Sequence, residues 1–255
     1  WSEAANPAAR RIVGDRLAEA AVAADPAARR TVLDRVISSY TPTVRALAHA
    51  RSQQSATAGP TLIVAVPDAP ELPPLPGVVD EAEAVAALIP DSRRPEHPVR
   101  ADVLRALPTH PLVHLSCHGL ADWKDPAASR LMLYDYRTAP LTVADISALR
   151  LTGTLAFLSA CDTASAGPRL TDEALHLTGA FHLAGYQNVI GTQWPVDERA
   201  ASRVAIEFYA YLTAGGTKPP DTTDCAYALH QAIRLLRSEY PNTPTHWAAH
   251  THTGT

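Results

Sequence analysis

The sequence predicts an α/β protein with a mostly parallel central sheet and helices on both faces, and two observations carry that prediction. Four apolar runs, Thr61 to Asp68, Pro111 to Gly119, Leu155 to Leu158 and Val189 to Gln193, are continuous or nearly so, as strands covered on both faces are. Among them lie stretches of helical spacing: Val79 to Ile89, Pro98 to Leu107, Thr171 to Ala184 and Asp197 to Leu212. Strands that alternate with helices of this length are joined by crossovers, and crossovers make neighbouring strands parallel.

With 255 residues, 46% hydrophobic and 19% charged, the chain can bury a large core as one extended domain or as two smaller ones. A formal charge of −4 and the lack of any run of lysines and arginines argue against nucleic acid as a direct ligand. No apolar stretch approaches the roughly 20 residues of a membrane span, and no signal segment opens the chain, so a cytoplasmic protein with no membrane partner is expected. Three cysteines are too few for a disulfide framework and fit a reducing compartment. No phosphate-cradling glycine loop and no paired C-x-x-C spacing occurs, so no cofactor and no metal are expected.

Residues 1–52 read as an N-terminal helical or extended region whose attachment to the main domain is left open, 53–60 as a flexible loop, and 61–255 as the main domain. Pro67 ends the first central strand, and Pro70, Pro73, Pro74 and Pro76 force an extended loop before the helix from Val79 to Ile89. Arg130 to Tyr134 reads as a short hairpin strand, and Leu141 to Leu149 as a helix capped by Thr142. In the helix from Thr171 to Ala184, Leu175, Thr178, Phe181 and Leu183 are expected to face inward, with Gly185 as its stop. Asp224 to Leu236 is the last helix, with Cys225 packing at its start. His246, His250 and His252 alternate with small residues as on an edge strand, and are read as solvated and without a role.

Two of the apolar runs end alike. One closes on Ser116, Cys117, His118 and Gly119, the other on Ser159, Ala160 and Cys161. The carboxyl edge of a parallel sheet is where ligands bind, so neighbouring strands would place His118 and Cys161 together there. A thiol beside an imidazole is the minimum for an activated cysteine nucleophile, with Cys161 attacking and His118 moving the proton. A lone cysteine at a strand end is by default a small buried hydrophobe; the matching histidine terminus overturns that default here. Cys117 alternates with His118 and is assigned to the core, and a zinc site from His114, Cys117, His118 and Cys161 lacks paired ligand spacing.

The strings HLSCHG, SRLMLYD, LTVADISAL, LAFLSACDT, LHLTGAFHLAGYQNVIGTQWPVDE and EFYAYL resemble, in order and spacing, the CHAT domain, a caspase-like cysteine-peptidase family related to separase. The resemblance runs from about Tyr40 to the C-terminus. It implies a caspase-like three-layer fold, peptide-bond hydrolysis of protein substrates in bacterial defence or signalling, and a dyad of His118 and Cys161. By analogy with related folds, the backbone N–H groups of Gly119 and Cys161 would hold the oxyanion. It also implies regulation by an activating sensor or helical-repeat partner, although the repeats often fused upstream have no counterpart in these 255 residues. Near the WPVD motif the family and separase carry an acidic residue associated with a basic residue before the cleaved bond. That maps onto Asp197, with Asp162 as a second acid and Trp194 as a pocket wall. Asp197 as a plain helix cap is an equal reading. The alternatives are a catalytically silent protein-binding scaffold, which the retained dyad counts against, and a small-molecule acyl or thiol-transfer enzyme using the same cysteine.

Overall fold

The computed structural model describes residues 31–41, 43–52, 59–120, 122, 124–159 and 173–255. A short 3-10 turn, Val32–Asp34, and helix α1, Val44–Ser52, precede β1, Thr61–Ala65. Helix α2 (Gly77–Leu88), β2 (Ser92–Arg93) and α3 (Arg100–Ala106) lead to β3 (Leu112–Ser116). The chain then leaves the main sheet for β4 (Gly119–Leu120), β5 (Arg130–Leu131), β6 (Leu141–Thr142) and α4 (Val143–Ser147). It returns through β7 (Leu155–Ser159), α5 (Glu173–Ala184), β8 (Asn188–Thr192), α6 (Glu198–Leu212), α7 (Cys225–Glu239), α8 (Pro244–Trp247) and β9 (His250–Gly254).

The main sheet runs β2-β1-β3-β7-β8-β9, parallel throughout except for β9 against β8. One face is covered by α3, α4 and α5, which bury Val103, Ile146 and Phe181 against Val64, Leu115 and Leu158. The other is covered by α2, α6 and α7, which bury Val85, Phe208 and Leu229 beside Ile63, Phe157 and Ile190. This is the three-layer, mostly parallel, caspase-like arrangement that the apolar runs and the resemblance led us to expect. Its handedness follows from strand order. The step from β1 to β2 goes outward through α2 on one face, whereas β3 proceeds the other way to β7 through the opposite face. The connections therefore part between β1 and β3, and the carboxyl ends of these two strands mark the switch point at which open α/β sheets take their ligands.

Local chemistry sets the element boundaries. Thr142 caps α4, accepting from Asp145 N, while the Asp145 carboxylate accepts from Thr142 N and Oγ1. Gly185 stops α5 at φ +122°, where a Cβ would lie 2.0 Å from the Leu151 carbonyl oxygen.

Three expectations fail. The helix expected from Asp224 to Leu236 is not the last, because Pro244–Trp247 follows it and holds His246, which therefore does not share a strand with His250 and His252. Leu183 is 61% exposed, because α5 turns Leu177, Ala180, Phe181 and Ala184 inward and leaves Leu183 on the outside. His250 and His252 are buried, not solvated, because β9 is not an open edge. Tyr40 bridges Thr253 in parallel, its N–H donating to the His252 carbonyl and its own carbonyl accepting from Gly254 N. The segment from residue 39 to 41 thus covers the outer side of β9 and supplies its missing partners.

Candidate active site

His118 lies two residues beyond β3, at the carboxyl edge of the sheet, and is 5% exposed. Its Nε2 is 2.8 Å from the Pro73 carbonyl oxygen. A carbonyl only accepts, so Nε2 carries the proton and Nδ1 is the basic nitrogen of the neutral ring. Pro73 belongs to the proline-rich loop between β1 and α2, and that loop is tied down along its length. Leu75 N donates to the Pro67 carbonyl, Leu72 N to the Ala69 carbonyl and the Tyr136 hydroxyl to the Pro70 carbonyl, while Arg137 pairs with Glu71. On the other side of the histidine, Gly119 opens β4 opposite Leu131, and Met132 N donates to the His118 carbonyl.

Cys161 and Asp162 lie outside the described residues. What the register does give is the rung before them. Ser116, two residues ahead of His118, is paired with Ser159, two residues ahead of Cys161. Cys117 packs with Val113 and Leu115 against the α3, α4 and α5 layer, as strand alternation requires.

Beneath this edge, on the opposite face, sits a buried polar group that sequence reading missed. Glu81 of α2 accepts from His114 Nε2 at 2.9 Å and from the Ser116 hydroxyl at 2.7 Å. Burial pushes the Glu81 carboxyl up, but hydrogen bonding and attraction from His114, with the hydroxyl of Ser116, outweigh it and hold its pKa below the usual value. The signal was available: Glu81 stands between Val78 and Val85 at inward helical spacing. His114 also stacks on Phe157 and meets the Tyr209 ring edge-on. Farther along the sheet, neither ring nitrogen of His250 has a hydrogen-bond partner among the described residues, and burial pushes its pKa down to about 4. His252 donates from Nε2 to Asn188 Oδ1 and accepts at Nδ1 from Ser39, and burial holds it at about 4 as well.

The sequence-derived specificity residues sit after β8. Asp197 is exposed and caps α6, its Oδ1 accepting from Arg199 N and Ala200 N. Trp194 donates from Nε1 to the Thr245 carbonyl. Glu198, which sequence reading passed over, reaches across to α2 and accepts from Gly77 N at 2.9 Å.

A family model described as the CHAT domain matches residues 17–255. The chain belongs to the CHAT domain family. Comparison with curated proteins returns no significant match. Among solved structures, the Saccharomyces cerevisiae separase–securin complex aligns with a TM-score of 0.54 at 14% identity, over 85% of this chain and 14% of that one. The Arg-specific cysteine proteinase gingipain R aligns with a TM-score of 0.47 at 14% identity, over 77% of this chain and 46% of that one. The complex of Porphyromonas gingivalis RgpB pro- and mature domains aligns with a TM-score of 0.48 at 13% identity, over 77% of this chain and 47% of that one. The CHAT chain thus spans less than half the length of each of these chains. At such identities the separase match speaks for the fold. No described helix is long and apolar enough to cross a membrane.

Proposed function

We propose that this CHAT domain is a cysteine endopeptidase in which Cys161 and His118 form the dyad. The observation that carries the reading is the fixed tautomer of His118, held by the Pro73 carbonyl at the strand-order switch of a caspase-like sheet. With Nε2 protonated, Nδ1 takes the Cys161 thiol proton, and the thiolate attacks the carbonyl carbon of the scissile peptide. Gly119 N–H and Cys161 N–H donate to the oxyanion. As the tetrahedral adduct collapses, the imidazolium returns its proton to the leaving amine, and water then hydrolyses the thioester with His118 as base. The commitment of Nε2 to Pro73 matters at each step, because a ring that flips cannot present the same nitrogen twice.

Cleavage after a basic residue is part of the proposal. Asp197 supports it as an exposed carboxylate beyond β8, the strand next to β7, with Asp162 and Trp194 as further contacts to substrate. We assign the peptidase domain to residues 61–255 and the protein to the cytoplasm, where the buried thiols of Cys117 and Cys225 suit a reducing milieu. A protein or peptide is the substrate, and a sensor or helical-repeat partner is the activator.

The test is cleavage of a positional-scanning fluorogenic peptide library by the wild-type chain beside Cys161→Ala and His118→Ala. Turnover that both substitutions abolish and that selects Arg or Lys is the expected result. Absence of turnover, together with failure of a thiol-reactive peptide to label Cys161, replaces the peptidase by a binding scaffold.

A further inference from the structure

We infer that Glu198 is a positioning residue which links the loop after β8 to the carbonyl that orients His118, an inference that rests on the dyad reading above. The argument begins with a missing cap. The residue ahead of α2 is Pro76, which has no side-chain acceptor for the first N–H groups of the helix. The acceptor comes instead from another helix: Glu198 Oε2 takes the Gly77 N–H at 2.9 Å. A carboxylate there also meets the positive end of the helix dipole.

Residue 77 is shaped for this approach. A Cβ on Gly77 would stand 2.9 Å from Glu198 Oε2 and 3.3 Å from Glu198 Cβ, so any larger side chain displaces the cap. Gly77 is joined to Pro73 by a short, braced stretch, in which Val78 N donates to the Leu75 carbonyl and Leu75 N to the Pro67 carbonyl. A shift of the first turn of α2 therefore moves the Pro73 carbonyl, and with it the acceptor for His118 Nε2. One turn later, Glu81 ties the same helix to His114 and Ser116 of β3, the strand that leads into His118. At the other end, Glu198 follows Asp197, the cap of α6, in the segment whose Trp194 is anchored on Thr245. A single chain of contacts thus runs from the loop where substrate selection is proposed, through Glu198 and Gly77, to the general base. Substrate seated against that loop bears on the orientation of His118.

The experiment is 15N NMR of histidine-labelled protein, with His118 assigned by His118→Gln, alongside the pH dependence of Cys161 alkylation by iodoacetamide. In the wild type, His118 is the Nε2–H tautomer. Glu198→Ala and Gly77→Ala are expected to give mixed tautomers and about a tenfold slower alkylation at neutral pH. Glu198→Gln, which keeps an acceptor oxygen, stays within about twofold. Gly77→Ala breaks the same contact from the other side with a single methyl group, so a shared tautomer change in the two variants assigns the effect to the cap rather than to either side chain. An unchanged His118 tautomer in both Glu198→Ala and Gly77→Ala overturns the inference. Wild-type alkylation that is insensitive to His118→Ala counts against the dyad alone, and the tautomer still decides the role of Glu198.

Discussion

The two faces of the central sheet are built differently at the same height. Against α3, α4 and α5, the strands present Val64, Leu115, Cys117 and Leu158 up to the carboxyl edge, and the polar groups buried in that layer, Thr178 and His182, come from α5 rather than from the strands beneath the edge. Against α2, α6 and α7, hydrocarbon gives way toward that edge to His114, Ser116, Ser159, Thr192 and His250, with Glu81 inserted from above. Apolar packing is indifferent to direction and to pH, so the first face supplies stability and little else. Buried hydrogen bonds to a carboxylate are directional, and they lie directly under the edge beyond which His118 sits.

Breaking each face separately sharpens the contrast. Glu81→Leu leaves the His114 Nε2–H and the Ser116 hydroxyl without their acceptor, and is expected to destabilise by about 3–5 kcal/mol. His114→Leu combined with Glu81→Leu should recover much of that loss, because both partners then leave together. Urea unfolding of the two single variants and the double variant measures the coupling, and simple additivity would show that the pair does not act as a unit. On the hydrocarbon face, Leu115→Ala removes a fully buried side chain and is expected to lose about 2–5 kcal/mol. Its loss should not depend on pH, whereas that of Glu81→Leu should be constant above about pH 4.5 and shrink as pH falls below it. The Glu81 carboxylate has a lowered folded pKa, so its contribution is present above the unfolded value and disappears as pH drops through the folded one.

The buried histidines have the opposite origin and the same direction. Burial holds His250 and His252 near 4, below the ordinary 6.5, with Glu81 pulling His250 up and His182 pushing His252 down. The unfolded chain binds these protons first, so stability is full above about pH 6.5 and is lost as pH falls toward 4, by on the order of 3 kcal/mol for each ring. Denaturation midpoints between pH 4 and 7 would show this slope, and His250→Phe should flatten part of it. The smallest effect is expected at the surface of the hydrocarbon face. There the Arg100 guanidinium beside Asp145 lowers that carboxyl to about 2, and the same group completes the cap of α4. Both side chains are partly solvated, so Asp145→Asn should cost about 1 kcal/mol, visible as a small drop in melting temperature at pH 7 that vanishes below pH 2.

Much of the frame was legible in the chain. The apolar runs at Thr61, Leu112, Leu155 and Val189 are strands within a residue of their expected cores, because strands covered on both faces leave an unbroken apolar record. Thr142 and Gly185 mark their helix ends by local chemistry, and Asp197 caps α6 as one of its two readings required. What was not legible depends on neighbours distant in sequence. The burial of His250 and His252 is decided by Ser39 and Tyr40, more than 200 residues earlier, and no spacing within HTHTG reveals it. Leu183 was misplaced because a helix that is apolar nearly all round does not declare its inward side by pattern alone.

The same division holds at the candidate site. By itself the sequence determined the chemistry available: a histidine and a cysteine at the ends of two apolar runs, in a chain that belongs to the CHAT domain family. Tertiary structure decided the rest. Strand order puts the β1 loop beside the end of β3, the Pro73 carbonyl selects which nitrogen of His118 is basic, and Glu198 and Glu81 make their bonds to and from α2, the helix that follows that loop. The reason is physical. Residue type sets what a group can donate or accept, whereas the orientation of a hydrogen bond is set by the partner across the fold.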